Sequence, residues 1–285
     1  MATAGAGRLP NFLHLGPGKS GSTWFHEVLS LHPQVYLSEA KDLYYFSRFY
    51  DRGLDWYAAQ FAGAGPQHLV VGEVCPDYLL SPGIGDRIHD SLGDDVRLMV
   101  TLRDPIERAF SSYLYLRKHG LAAPSFRATL QAEPMLLDEG RYGSKLAGLQ
   151  RHYRRDAIHV AMFDDLQRNP QLFLDEATDW LGIERLALDP ELQEARLPAS
   201  KARLLPLAKG AQRAAEFLRK HDGAQVVGRV KRSAMVQRAL YKPLGDDRPT
   251  LSPADAAYVR DQLENEIITV EQRYGLDLRR RWAWH

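Results

Sequence analysis

The sequence predicts a doubly wound α/β fold, in which helices flank both faces of a parallel sheet. Short apolar runs of strand length alternate with segments of helix length, and a glycine-rich turn joins the first run to the first helix. The runs are mostly apolar, as expected of strands that are buried on both faces. Four strands are predicted: Asn11–Gly16, Leu69–Val74, Val96–Leu102 and Ala157–Phe163.

Helices are predicted between these strands and after them. They are Trp24–Leu31, Leu54–Ala62, Pro82–Ser91, Pro105–His119, Ser144–Tyr153, Gln171–Leu181 and Ser252–Tyr274. The last has a start signal in Ser252-Pro253 and a stop signal in Gly275. Residues 186–250 lack strand periodicity and are predicted to be helices and loops that cover the functional site. The chain, 1–285, is predicted to be one domain, with residues 1–9 as a flexible N terminus.

Composition limits what the chain can be. Its 285 residues are 45% hydrophobic, which is enough for a large buried core. Lys plus Arg (37) and Asp plus Glu (36) nearly balance, so the net charge of +1 does not indicate a nucleic-acid partner. A single cysteine, Cys75, excludes an internal disulfide. We find no apolar run of signal-peptide or membrane-span length and therefore expect a soluble, cytoplasmic protein; its oligomeric state is not indicated.

The stretch from Lys201 to Lys242 is strongly basic, with only Glu216 and Asp222 as acidic residues. Such a stretch is often the solvated side of helices. The alternative is that it attracts an acidic acceptor or a nucleotide.

The turn after the first predicted strand has the residue types of an anion-binding loop. In a strand–turn–helix arrangement, backbone amides and the helix N terminus bind phosphate or sulfate, while a lysine adds charge and hydroxyls add donors. The predicted loop residues are Pro17, Gly18, Lys19, Ser20, Gly21, Ser22, Thr23 and Trp24. A Walker A loop would need glycine where Leu13 stands, so that pattern is not met. The alternative is an ordinary turn with a solvated lysine.

A second segment places an arginine at the carboxyl end of a strand, where open α/β sheets bind their ligands. This is Arg103, and Asp104-Pro105 after it predicts an N-cap and a first helical residue, with Glu107 completing a capping box. Ser111 lies farther along that helix, and a long guanidinium side chain can share a phosphate with it. The alternative is a capped helix that happens to follow a surface arginine.

Together, these two segments resemble the signature pair of the sulfotransferases that use 3′-phosphoadenosine 5′-phosphosulfate (PAPS), nearest the carbohydrate (heparan sulfate-type) branch. The resemblance implies a soluble bacterial member with a P-loop-like sheet and a largely helical C-terminal part over the nucleotide. It implies PAPS as co-substrate, 3′,5′-ADP (PAP) as product and no metal. Lys19 would stabilise the bridging oxygen, Ser22, Thr23 and the loop amides would hold the 5′-phosphate, and Arg103 and Ser111 the 3′-phosphate.

Three further segments are similar to that branch. Ser38–Phe46 resembles its Lys-Glu-x-x-Phe-Phe segment, and Gly72–Tyr78 resembles its Gly-Glu-Lys-(Ser/Thr)-Pro-x-Tyr element. The phosphate-covering Ser-Lys-Gly-Arg loop corresponds to Ser200, Lys201, Ala202 and Arg203. Cys75, where the branch has Ser or Thr, and Ala202, where it has Gly, depart from the pattern.

The resemblance places the catalytic base on Asp42, where the branch usually has Glu. Aspartate is one methylene shorter, so the acceptor would have to lie closer. The alternative is that Asp42 caps a short helix or pairs with Lys41. The other candidate bases are Glu39, Glu73, His14 and His32.

The acceptor is expected to be a carbohydrate, a glycolipid or a natural product with a free hydroxyl. Lys41, Glu73 and Tyr45 are candidates for contact with it. An aromatic group could line its cleft, although about half of these residues are expected to be core. The group consists of Tyr44, Tyr45, Phe46, Phe49, Tyr50, Trp56 and Tyr57.

Two other functions compete with this interpretation. The first is a P-loop kinase or NTPase, because Val160–Asp164 resembles a Walker B strand. The second is a non-enzymatic module that binds sulfated glycans or a partner through residues 201–242.

Overall fold

Five parallel strands form the central sheet. The computed structural model describes residues 8–194, 200–202, 241–243 and 249–284. The strands are β1 (Phe12–Gly16), β2 (Val35–Leu37), β3 (Val70–Val74), β4 (Arg97–Leu102) and β5 (Ile158–Met162). Their order, β2-β3-β1-β4-β5, confirms the predicted parallel sheet flanked by helices.

β1 lies at the point where the connections change direction. Phe12 pairs with Gly72 of β3 on one side and with Arg97 of β4 on the other. The chain leaves β1 to build β2 and β3 on one side, and then crosses to build β4 and β5 on the other. Open α/β sheets bind ligands at such a point, beyond the carboxyl ends of the strands.

The four predicted strands are all present. Each begins one residue later than predicted, and β5 also ends one residue earlier. β2 was not predicted, because three residues at a sheet edge are too few to show a period. Two more short strands, β6 (Ser200–Ala202) and β7 (Tyr241–Pro243), form an antiparallel pair. They correct the prediction of only helices and loops in residues 186–250, most of which lie outside the described residues.

The described helices, in chain order, are α1 (Ser22–Leu29), α2 (Tyr45–Arg48), α3 (Gly53–Ala59), α4 (Ile84–Leu92), α5 (Pro105–Lys118), α6 (Phe126–Ala132), α7 (Met135–Asp138), α8 (Tyr142–Leu149), α9 (Phe163–Arg168), α10 (Pro170–Leu181), α11 (Pro190–Glu194), α12 (Pro253–Tyr274) and α13 (Leu278–Arg281). Short 3₁₀ turns occur at Tyr50–Arg52, Tyr78–Leu80 and Arg155–Ala157. The predicted helices are all found, with shifted ends. Most of the helices that were not predicted are short.

The chain divides into two compact units. The first holds the five-stranded sheet and takes in the described residues of Met1–Arg103 and Tyr142–Ala195. The second takes in those of Asp104–Arg141 and Arg196–His285. The single domain predicted for residues 1–285 stays a prediction.

The helix-end signals at Asp104-Pro105, Ser252-Pro253 and Gly275 are confirmed. The Asp104 carboxylate accepts a hydrogen bond from the Ile106 amide at 2.8 Å, and Pro105 is the first residue of α5. Ser252 caps α12 by accepting from the Asp255 amide at 3.1 Å. α12 then ends at Gly275, whose φ of 65° favours glycine.

The core of the first unit packs α1 and α10 against one face of the sheet. Phe12, Val28, Met99 and Leu174 are fully buried there. Phe25 meets Phe173 edge to face, with ring centroids 6.0 Å apart. This packing holds α1 against β1 and so fixes both ends of the turn between them.

Gly72 allows β3 to approach β1 closely. A Cβ atom at this position would lie 2.3 Å from the Phe12 carbonyl oxygen and 2.8 Å from the Phe12 ring. The neighbouring atom is backbone in the middle of the sheet, so it cannot move aside cheaply.

We therefore expect Gly72→Ala to lower the free energy of unfolding by about 1–3 kcal/mol, because overpacking strains the core. Gly148→Ala is the matched control, since a Cβ there meets nothing within 4 Å. It should be neutral or stabilise α8 by up to about 1 kcal/mol. Urea unfolding measures both, and equal stabilities of the two variants would contradict the close approach.

Candidate active site

The loop between β1 and α1 has left-handed backbone at three positions. Gly16, Lys19 and Gly21 have φ values of 105°, 70° and 84°. A Cβ on Gly16 would lie 2.5 Å from the Pro76 carbonyl oxygen, so β1 ends here against the turn that follows β3. Lys19 is not a glycine, and such a backbone costs a side-chain-bearing residue about 1–3 kcal/mol. The fold therefore holds strain at the lysine of the predicted anion loop.

The same loop contains a buried hydroxyl without a partner. Ser20 is 1% exposed, and its Oγ atom makes no hydrogen bond. Leaving a buried hydroxyl unpaired costs about 1–3 kcal/mol. α1 starts at Ser22, two residues earlier than predicted, and no side chain among the described residues caps its N terminus. The loop thus offers the Ser20 hydroxyl and the first amides of α1, which are the donors that an anion requires.

Arg103 connects the two segments singled out in the sequence. Its Nη1 atom donates to the Lys19 carbonyl oxygen at 3.0 Å, and its guanidinium lies 4.8 Å from the Phe163 ring centroid. The Tyr142 hydroxyl donates to the Arg103 carbonyl at 2.8 Å. Because β1 and β4 are parallel neighbours, the residues that follow each strand lie at the same edge of the sheet. Arg103 stabilises the Lys19 loop there through its hydrogen bond to the Lys19 carbonyl.

Within the second unit, the predicted covering segment lies beside the helix that carries Ser111. Ser111 lies in α5, and the backbone of β6 contacts α5. Lys201 of β6 pairs with Lys242 of β7. Arg203 lies outside the described residues. Two of the segments predicted to bind the 3′-phosphate are therefore neighbours in this unit.

The N-cap of α5 is held by a residue near the C terminus, which the sequence did not single out. The Trp284 indole donates to the Asp104 carboxylate at 3.4 Å, and a left-handed Ala283 (φ 53°) precedes it. Burial raises the pKa of Asp104 to about 6. Asp104 is therefore a half-buried cap that accepts from both the helix and the indole.

The segment after β2 carries the predicted base. Asp42 and Tyr44 are both left-handed, with φ values of 67° and 58°. The Asp42 carboxylate is 2.7 Å from the Lys41 ammonium, and the two side chains are 19% and 18% exposed. The Asp42 amide donates to the Val74 carbonyl at 3.2 Å. The pairing with Lys41, which was the alternative role for Asp42, is present, and the carboxylate remains partly open to solvent.

Behind this segment lies the fully buried carboxylate of Glu73, in β3. Its Oε2 accepts from the Tyr57 hydroxyl at 2.7 Å, and its Oε1 accepts from the Tyr78 hydroxyl at 2.9 Å and from the Leu43 amide at 3.2 Å. Burial raises the pKa of Glu73 to about 7, and these hydrogen bonds offset part of that shift. One signal for this network is visible in the sequence, namely an acidic residue inside an apolar strand.

Tyr45 is core rather than accessible surface. It is 2% exposed and stacks on Tyr57 with ring centroids 4.3 Å apart. Phe46 is also fully buried, whereas Tyr44, Phe49, Tyr50 and Trp56 are half-buried. The expectation that about half of the aromatic group packs in the core therefore agrees with the structure.

Trp24 also packs in the core. It is 6% exposed, lies edge to face with Phe173 and donates its indole hydrogen to the Leu192 carbonyl at 2.9 Å. Its predicted place in the nucleotide site stays a prediction.

The other candidate bases have different surroundings. His14 is fully buried with Nε2 2.9 Å from the Thr101 hydroxyl, and burial lowers the pKa of His14 to about 3, so the ring is neutral. His32 is buried, with Nε2 2.7 Å from the Glu184 carbonyl. Glu39 is exposed.

The resemblance to a Walker B strand does not hold in three dimensions. β5 ends at Met162, and Asp164 lies in the first turn of α9. Its carboxylate therefore does not stand at the end of a strand, as that motif requires.

None of the helices in the described part of the chain combines the length and the apolar character needed to cross a bilayer.

The raised pKa of Glu73 makes stability depend on pH. The folded state keeps the proton up to about pH 7, whereas a carboxyl with the ordinary pKa of 4.5 loses it earlier. Between these values the folded state binds more protons, so the stability of the wild type falls as pH rises. Relative to Glu73→Gln, we expect a loss of about 3 kcal/mol across this window, measured by urea unfolding. Glu133→Gln, at an exposed carboxyl, is the control, and a pH-independent difference for Glu73→Gln would contradict the shift.

Two named proteins are similar to this chain in sequence. Mouse heparan sulfate glucosamine 3-O-sulfotransferase 6 is 29% identical over 196 residues, covering 65% of this chain and 56% of that protein. A membrane-associated sulfotransferase of Dictyostelium discoideum (kil1) is 37% identical over 108 residues, covering 37% of this chain and 22% of the relative. The chain thus spans about half the length of the first relative and less of the second.

The fold is shared with a sulfotransferase from Alicyclobacillus acidocaldarius. The two structures superpose with a TM-score of 0.58 at 22% identity, over 81% of this chain and 99% of the other. Residues 9–222 match the sulfotransferase domain family. That match includes the Lys19 loop, the Asp42 segment and Arg103. The chain therefore belongs to the sulfotransferase family.

Proposed function

We propose that the protein transfers the sulfuryl group of PAPS to a hydroxyl of a carbohydrate acceptor and releases 3′,5′-ADP. The observation that carries this proposal is the hydrogen bond from Arg103 to the Lys19 carbonyl. It joins the two segments that the sequence assigns to the donor. Family membership supports the reaction class, and the mouse relative, named for the glucosamine of heparan sulfate, supports a carbohydrate.

In this proposal the Lys19 loop holds the 5′-phosphosulfate. The unpartnered Ser20 hydroxyl, the Ser22 and Thr23 side chains and the N-terminal amides of α1 donate hydrogen bonds to it. The Lys19 ammonium is assigned to stabilise the oxygen between phosphorus and sulfur. Donors fixed in advance stabilise developing charge without reorganisation during the reaction.

The 3′-phosphate is assigned to Arg103 and Ser111, with Lys201 and Arg203 covering it. The guanidinium has five donors, so Arg103 can bind phosphate while it also holds the Lys19 carbonyl. The contact of β6 with α5 supports the shared role of Ser111 and Lys201.

The transfer is an in-line displacement at sulfur. The acceptor oxygen forms a bond to sulfur as the bond between sulfur and the phosphate oxygen breaks, and the electron pair stays on the phosphate, next to Lys19. The acceptor proton passes to the Asp42 carboxylate. Positioning and charge neutralisation supply most of the acceleration in such group transfers.

The acceptor side is assigned to the Asp42 segment. Lys41, paired with Asp42, can orient the carboxylate or bind an acceptor oxygen. A glycolipid or a glycosylated natural product has the same hydroxyl chemistry, so an acceptor panel should include both. A cytoplasmic location stays a prediction.

The donor nucleotide is tested by thermal unfolding. At about 100 times its dissociation constant, 3′,5′-ADP should raise the unfolding midpoint by roughly 5 °C, because a ligand that binds only the folded state stabilises it. ATP with magnesium should raise it less, and removal of metal by a chelator should leave the 3′,5′-ADP shift unchanged. A larger shift with ATP and magnesium would favour the kinase alternative and contradict the proposal.

Lys19 and Arg103 should have separable roles. Lys19→Ala should lower kcat roughly 100-fold or more with little loss of 3′,5′-ADP affinity, because it acts on charge formed in the transition state. Arg103→Ala should weaken 3′,5′-ADP binding roughly 10-fold or more, since it removes a charged hydrogen bond. Radiolabelled transfer and calorimetry measure the two effects.

Arg154→Ala, at an arginine that is 88% exposed, is the control for loss of charge in the same unit. Similar small effects of all three substitutions would argue against both roles.

A further inference from the structure

None of the steps above uses Glu73, although it has the densest set of hydrogen bonds near Asp42. We propose that Glu73 is a positioning residue whose carboxylate fixes the Asp42 segment through the Leu43 amide, so that Asp42 is held in place for the acceptor proton. This inference rests on the proposed function, in which Asp42 is the base.

The backbone around Asp42 requires such a hold. Asp42 and Tyr44 are both left-handed, which residues with side chains rarely adopt, and Leu43 lies between them. The Leu43 amide donates to Glu73 at 3.2 Å, and the Asp42 amide donates to the Val74 carbonyl at the same distance. Two consecutive amides of the segment are therefore bonded to two consecutive residues of β3. Without the Glu73 acceptor, the buried Leu43 amide would have no partner at this position.

The donors around Glu73 call for a carboxylate. Tyr57, Tyr78 and the Leu43 amide all donate to it. A carboxylate has only acceptors, whereas a glutamine amide would turn two N–H donors toward at least one of these donors. Burial raises the pKa of both tyrosines, so each keeps the proton that it donates.

The network extends beyond Leu43. The Phe46 amide donates to the Tyr78 hydroxyl at 3.4 Å, at the start of α2. Glu73 thus reaches the segment at two points, directly at Leu43 and through Tyr78 at Phe46. The residues from Asp42 to α2 are held as one piece.

The geometry also separates this role from that of a base. Glu73 is fully buried, and both of its oxygens already accept hydrogen bonds from the protein. An acceptor hydroxyl would have to displace a tyrosine or the Leu43 amide to reach it. Asp42, in contrast, is 19% exposed.

The ionisable groups that face Glu73 are Asp42, Tyr57, Tyr78 and Cys75. Burial is the main reason that the protonated form of Glu73 is favoured. The nearby charge of Asp42 favours it further. A proton on Glu73 removes one acceptor from the network. Activity limited by this network should therefore fall as pH drops through about 7.

The test compares the wild-type chain with its Glu73→Gln and Asp42→Asn variants. Radiolabelled PAPS is the donor, and desulfated heparan sulfate is the acceptor probe. For Glu73→Gln we expect kcat to fall roughly 10-fold to 100-fold, as for a misplaced catalytic group. The 3′,5′-ADP dissociation constant should stay within about twofold, because the donor loop is untouched. The loss of activity near pH 7 should disappear from its pH profile. Amide hydrogen exchange of the peptide that contains Leu43 should speed up, with or without an acceptor.

Tyr57→Phe is the second variant. It keeps the Glu73 carboxylate, removes one donor and should show a smaller effect of the same kind if Glu73→Gln does not fold. Tyr153→Phe is the matched control, because it loses a buried hydroxyl that binds the Gly93 carbonyl in the same unit. Its activity and its Leu43 exchange should match the wild type.

Wild-type kcat and pH profile in Glu73→Gln, or unchanged exchange at Leu43, would overturn the role of Glu73 while leaving the sulfotransferase proposal intact. Full activity in Asp42→Asn would instead remove Asp42 as the base, even if exchange at Leu43 still responds to Glu73. The two failures are therefore distinguishable.

Discussion

The position of β1 between β3 and β4 is the constraint on which the candidate site depends. Three parallel strands end at the same edge, so the Lys19 loop, the Pro76 turn and Arg103 emerge side by side. Two glycines make the spacing feasible. Gly72 lets β3 approach Phe12, and Gly16 lets the end of β1 pass the Pro76 carbonyl. The core on α1 and α10 then holds this edge in place.

Several locally unfavourable features lie at that same edge. Lys19, Asp42 and Tyr44 have left-handed backbone, Ser20 has an unpaired buried hydroxyl, and Glu73 is a buried carboxylate. Each costs free energy that the surrounding core must offset. Natural sequences tolerate such exceptions mainly where function requires them, and their concentration around two loops of one sheet edge agrees with an active site there.

The chain departs from the carbohydrate branch on the β3 side of this edge. Val74 stands where that branch has a lysine, and Cys75 where it has Ser or Thr, and both residues are fully buried. Burial raises the pKa of the Cys75 thiol, which therefore stays protonated and contributes packing rather than charge. In the proposed function, polar contacts to the acceptor therefore come from elsewhere, and the Lys41–Asp42 and Arg48–Asp77 pairs are two charged groups on this side.

Local features could be predicted from the residues alone. Apolar runs predicted four strands of the sheet, and Asp104-Pro105 and Ser252-Pro253 predicted helix starts, because caps and periodicity depend on neighbours in the chain. β2 was not predicted, since three residues are too few to show a hydrophobic period. The Lys19 loop and Arg103 at the end of β4 could also be predicted as site residues, since each directly follows a strand.

Which of these residues lie in contact depends on how the chain folds in three dimensions. The bond from Arg103 to Lys19 spans 84 positions, and the network of Glu73 gathers Leu43, Tyr57 and Tyr78 from three separate segments. Asp42 and Tyr44 are left-handed in a segment whose amides at Asp42 and Leu43 are bonded to β3, a contact that the sequence does not reveal. A sequence states which types of side chain are available. The order and register of the strands set the distances between these side chains. The buried Glu73 carboxylate can accept from the Leu43 amide because the fold brings the two within hydrogen-bond distance.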